Sequence, residues 1–150
     1  MTPTLAEFLA AHGFPADQLS DPQADGRFTP LMRACKEGRR DIVDELLTLG
    51  VDITVRNADG CNALWLACYN DDHGVIQRLL DAGIDIDLQN GNGATCLMYV
   101  ASNSKPDLDQ LLLDRGADVE LKNFDDFTAR DLAASVDCLR LLRRAERGSA

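Results

Sequence analysis

The sequence predicts an all-α fold built as a solenoid, in which helix–turn–helix units of equal length stack side by side and are joined by β-turn loops. Three observations carry this expectation. Single residues recur every 33 positions: Leu31, Leu64 and Leu97; Gly50, Gly83 and Gly116; Asp52, Asp85 and Asp118; Asn57, Asn90 and Asn123. The pairs Leu46-Leu47, Leu79-Leu80 and Leu112-Leu113 keep the same interval, and so many columns in register over two intervals mark an internal repeat. Helix-start and helix-stop residues also fall at one phase of that repeat, with apolar positions at helical spacing between them. One such unit cannot bury its apolar face alone, so its neighbours must cover it.

The elements follow in chain order. "TLAEFLAAHGF" (4–14) reads as the helix of an N-terminal capping unit (1–23), with Thr4 and Glu7 at the spacing of a capping box. The first full copy (24–56) opens at Thr29-Pro30, a threonine N-cap followed by proline where a missing N–H costs nothing. Asn62 takes the cap role in the second copy (57–89) and Thr95 in the third (90–122). Each first helix passes through small residues, Ala34-Cys35, Ala67-Cys68 and Val100-Ala101, which let neighbouring helices approach closely. Each second helix carries Ile42, Val75 or Leu108, then the leucine pair, and stops at Gly50, Gly83 or Gly116, where a left-handed residue is wanted. Alternating Val51-Ile53-Val55, Ile84-Ile86-Leu88 and Ala117-Val119-Leu121 give an extended connection to the next turn. "DFTARDLAASVDCLRLLRR" (126–144) reads as a shortened terminal repeat, within a cap spanning 123–144, with Arg140, Arg143 and Arg144 on its solvated face and 145–150 as a tail. All of this is expected to form a single domain.

A helix–turn–helix plus turn at period 33, opening "TPLMRAC" (29–35) and continuing "LLTLGVDI" (46–53) and "LLLDRGADVE" (111–120), resembles the ankyrin repeat family. The resemblance covers residues 24–144 and implies a small stand-alone protein, with about three full repeats between degenerate capping units. The sequence departs from the family pattern in three places. The histidine that follows "TPL" is replaced by Met32, Trp65, Met98 and Asp131, which removes a loop-bracing hydrogen bond. The proline becomes Ala63 and Cys96 in the second and third copies, and Gly26 sits one position early relative to Gly60 and Gly93.

Composition bounds the function. With 45% hydrophobic and 27% charged residues, a chain of 150 residues can bury a core without disulfides or metals. Its net charge of −10 repels duplex DNA and anionic lipid, so neither nucleic acid nor membrane is an expected partner. No apolar run approaches membrane-spanning length, and no basic residue precedes the apolar part of "MTPTLAEFLAAHG", which argues against a secretory leader. Five cysteines without a C-x-x-C pair suit reduced thiols and a cytoplasmic location.

"GCNALWLACYNDDHG" (60–74) gathers Cys61, Cys68, Asp71, Asp72 and His73, and so invites a metal site or an activated thiol. The repeat separates them into unrelated columns: Cys68 aligns with Cys35 and Ala101, Cys61 with Phe28 and Ala94, and Asp71 with Gly38 and Ser104. His73 has no second histidine nearby to complete a zinc set. Neither metal, cofactor nor catalytic residue is expected. Cys35 and Cys68 should stay reduced, because stacked helices lie about 8–10 Å apart and a disulfide needs closer Cα atoms. "GNG" (91–93) reads as a turn tip, and Asp81, Asp85, Asp87, Asp114 and Asp118 as a solvated acidic face.

The resemblance implies a non-catalytic protein–protein interaction module that grips another protein through its turn tips and first helices, for instance as an inhibitor or regulatory subunit. Carried over by position, the partner-binding residues are Phe28, Lys36 and Glu37; Asp59, Cys61, Trp65, Tyr69 and Asn70; Asn92, Tyr99, Ser102 and Asn103; and Asp125 and Phe127. Trp65 has two readings, packing in the slot of the absent histidine or projecting as an interface anchor beside Tyr69 and Tyr99. Residues 57–120 hold three basic and eleven acidic residues, a net of −8, whereas Arg33, Lys36, Arg39 and Arg40 cluster in the first copy. That pattern predicts a protein partner with a basic patch facing the second and third copies and an acidic edge facing the first, bound by a monomer. The alternatives are a small thiol-dependent redox or enzymatic protein using Cys61 or Cys96, and a host-directed ankyrin effector. Leu80→Ala, in the central stack, is expected to cost about 2–5 kcal/mol.

Overall fold

The computed structural model describes residues 1–23 and 25–148, and among these the chain is helical without a strand. The residue-24 boundary of the first copy and the last two residues of the tail lie outside the described residues. The chain forms two compact units, Met1–Ile84 and the segment from Asp85 onward.

The first unit contains α1 (Pro3–Ala11), α2 (Pro30–Lys36), α3 (Arg40–Thr48), α4 (Ala63–Tyr69) and α5 (His73–Asp81). Short helices α2 and α4 pack on each other, the longer α3 and α5 pack behind them, and α1 lies against α3. Ala34, Cys35, Ala67 and Cys68 are fully buried, so the small residues do sit where helices meet. Two ion pairs cross between copies, Arg40 to Asp72 at 2.9 Å and Arg78 to Asp44 at 2.7 Å. Both are partly solvated, and pairs of that kind contribute about 1 kcal/mol or less.

The second unit contains α6 (Cys96–Ser102), α7 (Pro106–Asp114), α8 (Ala129–Leu132) and α9 (Val136–Gly148). α6 packs on α8 and α7 on α9. α8 is a single turn. α9 continues to Gly148, through residues read from the sequence as tail.

Local chemistry explains the boundaries. Thr29 and Thr95 accept hydrogen bonds from the Met32 and Met98 amides, each at 3.2 Å. Asn62 occupies the equivalent position but makes no side-chain cap bond. The proposed Thr4–Glu7 capping box does not form. Pro3 starts α1 two residues earlier, its fixed φ and absent N–H suiting the first helical position, and Thr2 is the cap, accepting from the Leu5 amide at 3.2 Å. Thr2 also donates its N–H to Glu45 at 2.8 Å, tying α1 to α3.

The second helices of the full copies end alike. Gly50, Gly83 and Gly116 have φ of 77°, 89° and 90°, and the amides before and after this turn bond back onto the helix. Gly50 N–H reaches Leu47 and Val51 N–H reaches Leu46, the paired bonds of a Schellman motif. The alternating stretches after Gly50 and Gly83 turn instead of running on as extended connections, because Asp52 and Asp85 accept from the Thr54 and Asp87 amides two residues on.

Burial corrects one energetic expectation. Leu79 is fully buried but Leu80 is only partly so, because the first leucine of the pair faces the stack and the second its rim. A second surprise lies on α7. Val43 and Ile76 are buried core residues, and the residue at the same position of the next copy is Asp109, also 0% exposed. Among the described residues neither of its carboxylate oxygens has a nitrogen or oxygen donor as hydrogen-bond partner. Burial pushes its carboxyl up to about 6, opposed only by the nearby Cys138 thiol, a weak donor.

Candidate protein-binding surface

The turn tips are built on the asparagine column. Asn57 Oδ1 accepts the amides of Asp59 and Cys61, Asn90 those of Asn92 and Ala94, and Asn123 those of Asp125 and Phe127, all at 2.9–3.0 Å. This side chain braces the loop from inside, so the loss of the family's histidine leaves no slack turn. Each tip also closes by a backbone bond, Asn57 N–H to Cys61, Asn90 N–H to Ala94 and Asn123 N–H to Phe127. In the first tip the bond runs from Gln23 N–H to Phe28, one residue longer, in keeping with the one-position offset of Gly26 read from the sequence. Adjacent tips are linked within each unit, by Ala58 N–H to Gly26 at 2.7 Å and by Phe124 N–H to Asn92 at 3.1 Å.

In the first unit, these tips and helices α2 and α4 enclose a cleft of about 330 Å³. Arg27, Phe28, Lys36, Asp59, Leu66 and Tyr69 line it. Lys36 Nζ lies 4.9 Å from the Phe28 ring centre and the Arg33 guanidinium 5.2 Å from it, two cations over one ring. Tyr69 is 45% exposed. Its ring stands 6.0 Å from that of Trp65, which is only 2% exposed and fills the packing beneath it. Cys61 is likewise 2% exposed and contributes only to the cleft floor. Glu37 is engaged by Arg33 at 3.2 Å and His12 at 2.9 Å, whereas Asn70 caps the end of α4 in the open.

In the second unit, Asn92 and Asp125 are exposed tip residues, and Phe127 is 47% exposed. Tyr99 is half-buried, with Lys105 Nζ 4.9 Å from its ring centre and 3.4 Å from its hydroxyl. Ser102 and Asn103 are exposed and donate to the Tyr99 carbonyl at 3.0 and 2.9 Å. The sequence reading missed Phe124, which is 76% exposed at a tip. It precedes Asp125, which the sequence reading names, so an aromatic beside that residue was the available signal.

The cysteine, histidine and aspartate cluster of residues 60–74 disperses. All five cysteines of the chain are buried and reduced. Asp72 is the N-cap of α5, accepting from the Val75 amide at 3.1 Å. Burial raises its carboxyl, but the Arg40 guanidinium and helix amides outweigh that and hold it below the usual carboxylate range. Asp71 takes the left-handed conformation of Gly38, with φ of 55° against 67°, and Ser104 repeats it at 55°. Among the described residues no group of three or more potential ligands could hold a metal ion.

This repeated helix pair with a braced tip defines a class, and sequence comparison agrees. A family model described as ankyrin repeats, in three copies, matches residues 31–123 and 64–148. The chain belongs to the ankyrin repeat family. It is similar to an ankyrin repeat-containing protein of Treponema pallidum (strain Nichols), with 43% identity over 63 residues. That match takes in 42% of this chain and 20% of the relative, so the chain spans about a fifth of that protein's length. Ankyrin repeats are in general protein–protein interaction modules. Among the described residues, no helix is long and apolar enough to cross a membrane.

Proposed function

We propose that this protein is a non-catalytic binding module, acting in the cytoplasm as a monomer, and that it engages a partner protein through its turn tips and first helices. The observation that carries this reading is the exposure of Tyr69, Phe124 and Phe127 beside tips held by internal hydrogen bonds. Large aromatics left in water on a braced backbone are suited to binding, because little side-chain or loop freedom remains to be lost on contact. The acidic residues of the second and third copies favour a partner with a basic patch. A thiol-based activity is disfavoured by depth: Cys61 and Cys96 are each 2% exposed, and burial drives the Cys35 thiol far above its ordinary value.

Capture of partners from native lysate by the wild type, Tyr69→Ala and Asn103→Ala tests the reading. Both substitutions are at exposed positions, so melting should be unchanged. Loss of a captured protein in either variant supports the assignment, and retention of every captured protein in both overturns it. Raising salt should weaken capture steeply where charge selects the partner; flat binding removes the basic-patch component.

A further inference from the structure

The cleft of the first unit has a charge opposite to that of the chain. Arg27 and Lys36 line it against a single carboxylate, Asp59, in a protein of net charge −10. Arg33, beside them, is already neutralised by Glu37 at 3.2 Å. Among the described residues no carboxylate pairs with the side chain of Lys36, which stands over the Phe28 ring, or of Arg27, which precedes it in the turn. Lys36 over the Phe28 ring and Arg27 on the same cleft wall are like charges, and an anion arriving beside them would lower their mutual repulsion. The opposite wall is apolar, formed by Leu66 and the 45%-exposed Tyr69, with the buried Trp65 behind.

We infer that this cleft takes an acidic peptide segment of the partner, with a carboxylate beside Lys36 and Arg27 and an adjacent apolar side chain against Leu66 and Tyr69. The proposal deepens the protein-binding reading and rests on it. Charge complementarity chooses the occupant: a basic segment would add to the cations already present, and a small anion would leave the apolar wall uncovered.

The probe is a blocked heptapeptide in which two glutamates flank a leucine, titrated into the full ¹⁵N-labelled chain. One control peptide carries glutamine and another lysine in place of glutamate, and inorganic phosphate is a third. The glutamate peptide should shift the amides of Phe28, Lys36, Leu66 and Tyr69. The glutamine peptide should bind up to about fivefold more weakly, the range of exposed ion pairs. Lys36→Glu, at an exposed position, should keep the spectrum of the folded chain and reverse the preference toward the lysine peptide. Equal binding of all three peptides, equal shifts with phosphate alone, or no shifts at the cleft would each overturn the inference. A cleft occupied only by the lysine peptide would overturn it too, while leaving the protein-binding reading intact.

Discussion

Replacing Asp109 with valine should make the protein more stable at neutral pH. The native position is fully buried on α7, the weak Cys138 thiol donor is all that opposes the burial of its carboxylate, and the matching residues of the preceding copies are Val43 and Ile76. The folded chain holds the Asp109 proton up to about pH 6, and the unfolded chain releases it near 3.9. The native state therefore binds more protons than the unfolded state between these values. Its stability contribution is complete below about pH 4, falls as pH rises through 6, and stays lost above that. Two pKa units correspond to about 3 kcal/mol. Asp109→Val should thus gain about 3 kcal/mol more over wild type at pH 7.5 than at pH 4. Valine cannot titrate, so subtracting the two proteins cancels the other carboxylates. Asp41, Asp52 and Asp72 are held below their ordinary values and lose stability in acid in both proteins alike. Urea unfolding followed by far-UV circular dichroism at several pH values gives the difference directly. A wild-type-minus-variant difference that is flat from pH 4 to 7.5, or a variant less stable at neutral pH, would refute the buried, unpaired carboxylate.

The other predictions concern packing, turns and thiols. Leu79→Ala should cost about 2–5 kcal/mol and Leu80→Ala distinctly less, and equal losses in denaturant titrations would mean the stack faces the wrong leucine. Gly93→Ala should cost about 1–3 kcal/mol, because φ is 75° and an added Cβ would stand 2.5 Å from the Phe124 ring and 2.9 Å from its backbone nitrogen; an unchanged melting temperature would show that this tip is loose. Deleting residues 1–20 removes Leu5, Phe8, Leu9 and Phe14 from the core and should cause aggregation in size-exclusion chromatography. A soluble monomer with unchanged melting would show that α1 is not a cap. All five thiols should resist a chromogenic disulfide reagent in the native state and react in urea, whereas one fast thiol in native protein would revive a redox role.

The fold was legible because its specifying signals are local and repeat. Three copies of one chain segment report the same helix starts, the same left-handed stops and the same small contact residues, so an error in one copy is corrected by the others. α2, α4 and α6 begin at Pro30, Ala63 and Cys96, and α3, α5 and α7 at Arg40, His73 and Pro106, all at intervals of 33 residues. One error falls where no second copy exists to vote. α1 has no repeat partner in register, and there a capping-box spacing competed with Pro3, whose fixed φ set the boundary. The division of labour within Leu79-Leu80 was hidden for a different reason. Both residues are leucine in every copy, so the column carries no polar mark to show which of the two faces water.

Surface function was harder to read, because a column shows which residue varies but not how deep it lies. Trp65 and Tyr69 are one helical turn apart, and only the packed structure separates a buried ring from one 45% exposed. The asparagine column was visible as a repeat, yet its work in holding two amides per tip depends on side-chain direction, which spacing does not encode. Asp109 shows the converse. A column filled by Val43 and Ile76 should be apolar, and an acid in it looks from sequence like one more charge on an already acidic protein. Its burial turns that charge into an energetic cost that hydrophobic side chains at the same position in the other copies do not carry. The repeat therefore does more than predict a fold. A residue that breaks an otherwise apolar column marks where this chain departs from its own pattern, and the pH dependence of Asp109→Val measures the size of that departure.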